Sequence, residues 1–105
     1  MSSEILFQLP MPGTKDFKGC RLGGERFGEA LGDRYVACIR LAERRGVLTG
    51  DVSDQIFSSA WRDMAATARN VIESGFVVVE LRHFWRGMRR GYKRAMASAV
   101  TLKIH

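Results

Sequence analysis

The chain has 105 residues, of which 46% are hydrophobic and 27% charged, and it carries a net charge of +6. That composition excludes wholesale disorder, and the length suits one domain that closes a small core without metal or disulfide staples. Thirteen of its seventeen cations are Arg; a planar guanidinium favours bidentate contact with phosphate or carboxylate, although genome base composition gives the same bias.

Residues 1–23 hold both prolines (Pro10, Pro12) and the glycines Gly13, Gly19 and Gly23 with little periodicity, which predicts a loop-rich arm. Its opening, MSSEILFQLPMPG, lacks the positive n-region and long apolar stretch of a secretory signal. Glu4 to Leu9 is a candidate short strand. The later segment GCRLGGERFG is glycine-rich but has no terminal Gly-Lys-Ser/Thr, so it is no phosphate-cradling P-loop.

A helical period sets in over residues 24–45, with Phe27, Leu31, Tyr35, Cys38, Ile39 and Ala42 on one side, and Gly46 stands where a glycine ends a helix. Gly24, Gly28 and Gly32 recur every four residues on that apolar side, and Gly87 and Gly91 repeat the spacing later. Each costs about 1 kcal/mol against Ala inside a helix. The rows therefore predict a compensating close approach of backbones, within the chain or between two copies of it. The competing reading makes 24–32 irregular loop and starts the helix near Asp33. Cys20 and Cys38 match no metal or disulfide spacing, which predicts two reduced thiols in a cytoplasmic protein.

After a turn at 46–50, a second helix is predicted over 51–74, with Asp51 as N-cap. Its apolar stripe is Phe57, Ala60, Trp61, Met64, Ala68, Val71 and Ile72. Gly75 leaves only a tight connection, so the second and third helices are expected as antiparallel neighbours. The run Phe76 to Leu81 suits either a buried strand or the first turns of a helix. The stripe Val77, Leu81, Phe84, Met88, Tyr92, Ala95 and Ala99 favours a helix over 76–98, with Val79 as the misfit. Val100 to Ile104 alternates apolar and polar residues and is a candidate strand to pair with Glu4 to Leu9. The expected fold is mainly α: a compact three-helix domain with an arm at 1–23, a helical core at 24–98 and a tail at 99–105, the short terminal β pair being optional.

Charge is unevenly placed. Residues 1–80 hold ten Lys or Arg against eleven Asp or Glu, whereas residues 81–105 hold seven against none. At about 100° per residue, Arg82, Arg86, Arg89, Arg90 and Lys93 share one stripe of the third helix with Arg94 at its edge, and Phe84, Trp85 and Tyr92 lie opposite. These six cations are the candidate polyanion-binding residues. The competing reading pairs them with an acidic rail on the first helix, Glu25, Glu29 and Asp33, although three acids cannot neutralise seven cations. No run of apolar residues is long enough to span a membrane, and an amphipathic helix whose greasy side closes the core is not expected to enter one.

A helix that read base edges would present polar residues near its N-terminus, where this one has Phe76 to Leu81, and the basic stripe has no Asn or Gln to read adenine. Phosphate contact without sequence preference is the expectation. The aromatics are expected in the core rather than stacked on bases. His83 and His105 are the only histidines, and no catalytic or metal motif is present, so the expectation is a non-enzymatic protein with no cofactor. Its expected partner is nucleic acid or, failing that, an acidic protein surface met by an adaptor, inhibitor or other small regulatory protein, with a homodimer supported by the glycine rows.

Overall fold

The computed structural model describes residues 8–103, and side chains as far as residue 97. They form three helices, α1 (Phe17–Arg44), α2 (Gly50–Glu73) and α3 (Val78–Lys103), and no strand occurs among the described residues. The mainly helical expectation holds.

Its boundaries need correction at both ends. α1 begins at Phe17, inside the supposed arm, because Asp16 is a working N-cap whose carboxylate accepts from the Gly19 amide at 2.9 Å. Residues 24–32 are thus helix, and the reading of them as loop falls. The alternating tail is also helix: residues 100–103 continue α3. Extending an existing helix gains a hydrogen bond for each residue fixed, whereas a lone short strand has no ladder. The proposed partner strand falls largely on residues 4–7, outside the described residues; Gln8 and Leu9 are not in a strand.

The predicted end of α1 is as expected. Gly46 takes φ 69°, its amide bonds to the Glu43 carbonyl at 3.1 Å and the Val47 amide reaches the Ala42 carbonyl at 2.9 Å, a complete Schellman closure. α2 is capped two residues earlier than predicted, by Thr49, whose hydroxyl accepts from Val52 N at 3.2 Å. Asp51 sits in the first turn instead, where its charge still suits the helix dipole. Gly75, at φ 102°, turns the chain into α3. The β-branched run resolves as helix from Val78, but Phe76 is the buried member, and Val77, expected on the core stripe, is exposed with Val78 and Val79.

α1 and α3 run parallel and nearly touch. A Cβ at Gly24 would fall closer than 3.0 Å to the Phe84 carbonyl, one at Gly28 would do the same at Met88, and Gly32 faces Tyr92 and Ala95. From the other side Gly87 lies on the Arg21 carbonyl and Gly91 on that of Glu25. Contact positions rise together along both helices, which fixes the parallel sense. The predicted close approach is therefore made within the chain, and the glycine rows are already occupied there.

α2 returns antiparallel between them in sequence and covers the core less completely. Cys20, Phe27, Leu31, Tyr35, Ala60, Met64, Val71, Phe76, Phe84 and Met88 form the buried cluster. The predicted α2 stripe buries only on one edge: Ala60, Met64 and Val71 are inside, but Phe57, Trp61 and Ile72 stay exposed. Tyr35 ties α1 to α2 by donating its hydroxyl to Asp63. Burial, then that hydrogen bond, pushes the Tyr35 phenol up to about 12.

Candidate polyanion-binding face

The start of α3 is set by Glu80, which has no solvent exposure and lies in the third position of the helix. Its carboxylate accepts from Val77 N at 2.9 Å, the reverse half of a capping box. The same group accepts from Gly13 N at 3.0 and 3.1 Å and Lys15 N at 3.3 Å, so it also fastens the arm. Gly13 and Lys15, both donors to it, hold positive φ, 84° and 60°. The Val77 hydrogen bond, opposed by burial and reinforced by the bonds from Gly13 and Lys15, holds the Glu80 carboxyl below the usual range. This anchor fixes where every later residue of α3 points.

With that register, the outer face of α3 forms a cleft of about 660 Å³ lined, among the described residues, by Val78, Leu81, Arg82, Trp85, Arg86, Arg89, Arg90 and Lys93. Five of the six predicted site residues are brought together there. From Arg82 to Lys93 they cover about 16 Å of helix at 1.5 Å per residue. Arg94 stands apart, bonded through Nη1 to Glu29 Oε1 at 2.7 Å on the side facing α1.

The acidic rail is thus real but short. Glu25 approaches Arg90 at 3.7 Å, a loose pair with the arginine side chain 60% exposed. Asp33, Arg82, Arg86, Arg89 and Lys93 make no ion pair among the described residues. The reason is geometric: α1 lies against the glycine edge of α3, and those four cations point away from it.

The aromatics divide. Phe84 is wholly buried and His83 stacks on Phe17 at 4.8 Å, whereas Trp85 lines the cleft and lies 6.0 Å from Trp61, its ring tilted 35°. Trp61, placed in the core by its spacing, is 52% exposed and lies beside the cleft on α2, in ring contact with the cleft-lining Trp85. Its signal in the sequence was faint, a position at the edge of the α2 stripe. Leu81, expected on the core stripe, packs against the buried cluster and also lines the cleft, as does Val78, which the stripe leaves out. Glu80, wholly buried at the start of α3, is a residue that the apolar periodicity does not point to.

Both cysteines are free, Cys20 buried and Cys38 exposed; burial, then the charges of Glu80 and Asp16, push the Cys20 thiol up. Among the described residues no three His, Cys, Asp or Glu side chains converge as a metal site would require, and no helix is long and apolar enough to cross a membrane. Comparison of the chain with protein-family models, curated proteins and solved structures gives no match.

Proposed function

We propose that the protein is a non-enzymatic binding protein whose α3 face engages nucleic-acid phosphates without strong sequence preference. The observation that carries this reading is the convergence of Arg82, Arg86, Arg89, Arg90 and Lys93 on one cleft, four of them without an acidic partner among the described residues. Polar readers of base edges are missing from that face, so contact is with the backbone. A cytoplasmic setting accords with two free thiols.

Phosphate binding has a thermodynamic signature. Four or five contacts give a slope of about −4 for log affinity against log salt on duplex DNA, at roughly 0.9 per phosphate. Replacing Arg86 and Arg89 together by Ala flattens that slope by about 2. Absence of measurable binding to either single- or double-stranded nucleic acid at low salt sinks the proposal.

A second reading draws on the apolar part of the same surface. Val78, Leu81 and Trp85 beside the cations, with Phe57 and Trp61 nearby on α2, also suit an acidic protein segment. In that case binding to the protein partner survives nuclease treatment in a pull-down. The homodimer form of this reading loses its motive, because the glycine rows are packed inside the chain.

A further inference from the structure

Resting on the phosphate reading, we infer that the cleft takes single-stranded rather than duplex nucleic acid, with an unpaired base stacked on the open side of Trp61. Trp85 lies among the cations, and Trp61 rests against it at 6.0 Å with half its surface free. A pair of tilted indoles thus adjoins a row of guanidinium groups. Phe57, exposed one turn earlier on α2, widens the same platform.

A duplex gains nothing from the indoles, since its bases are already stacked on one another and only its phosphates reach the cations of α3. A single strand gains twice: the cations follow its backbone while a splayed base covers indole surface that otherwise faces water. Stacking is tolerant of base identity, because every base has a π-face, which agrees with a cleft lacking polar readers. Among the described residues no further helix covers that flank of α2, and the occupant supplies the missing surface.

Trp61 and Trp85 are the only two tryptophans of the chain, so fluorescence excited selectively at tryptophan reports on this pair alone. The test is a titration of the full chain with a thymidylate oligomer of about 20 nucleotides and with a duplex of the same length, at one low salt concentration. The expected result is quenching by the single strand and affinity for it about tenfold above that for the duplex, one stacked base being worth roughly this factor. Trp61→Leu, which keeps apolar bulk and removes the stacking surface, loses about that tenfold on the single strand and less than twofold on the duplex. Trp61→Phe recovers part of the loss. Circular dichroism of each variant checks that the helices persist, and Trp61→Phe carries the comparison if the Leu variant unfolds. Equal affinity for both nucleic acids, with the Trp61 variants unchanged, overturns the stacking inference and leaves phosphate binding standing. Failure of both nucleic acids to bind overturns phosphate binding and the inference with it, and binding of an acidic peptide in their place has the same force.

Discussion

Glu80 shows how one side chain decides the position of many others. A carboxylate without solvent exposure is ordinarily expensive, and here amides from Gly13, Lys15 and Val77 replace the water it has lost. Those bonds favour the ionised form, so the folded-state pKa lies below the unfolded value of about 4.3. The stabilisation is complete above that unfolded value and disappears as pH falls through the lower, folded one. Glu80→Gln, which offers a neutral acceptor to a nest of donors, should lower the melting temperature by several degrees at pH 7 and weaken the acid limb of the wild-type profile. Thermal melts from pH 7 to pH 3 check both; identical profiles for the two proteins refute the anchoring role. Nothing in the sequence marks Glu80 as buried, because only Val77 among its donors is local and the other two, Gly13 and Lys15, come from an arm 65 to 67 residues away.

At the scale of elements, the α1–α3 contact is the clearest case of pattern becoming structure. Five glycines at four-residue spacing serve a parallel crossing in which each helix presses its backbone into the other's gap. Gly28→Ala gains about 1 kcal/mol of helix propensity but sets a methyl group against the Met88 carbonyl, which is backbone and cannot rotate aside. A net destabilisation of about 2 kcal/mol is expected from overpacking. Gly50→Ala, at the first residue of α2 with no atom within 4 Å of the added carbon, should be neutral or slightly stabilising. Urea unfolding of the pair provides the measurement, and equal stability of the two variants contradicts a crossing this tight. Spacing alone foretold a close approach; it left open whether the partner was this chain or another copy.

For the molecule as a whole, the placement of α1 divides the positive charge into two populations. Cations near the glycine edge, Arg90 and Arg94, meet Glu25 and Glu29, and those further round the helix meet solvent. Glu25 therefore competes with an incoming phosphate for Arg90. Glu25→Gln should strengthen duplex binding and steepen the salt slope from about −4 to about −5, one further contact at roughly 0.9 each. An unchanged slope in that variant means that Arg90 does not reach the phosphates. The looseness of the existing pair, 3.7 Å with the arginine side chain 60% exposed, is what makes the competition winnable.

Composition and periodicity by themselves determined that this chain is helical, that Gly46 closes α1, that the glycine rows seek a close contact and that the surplus charge lies on the last helix. These are local properties: a period, a cap or a charge count is complete within one segment and needs no knowledge of its neighbours. Which edge of each stripe is covered was decided only in three dimensions, since burial depends on where another helix stops. So α2 leaves Trp61 outside, α3 leaves Val78 and Leu81 at the rim of a cleft, and Glu80 is ionised inside. The tail turned the same way: alternation proposed a strand, but a helix already running through residue 99 had the hydrogen bonds to carry 100–103 with it.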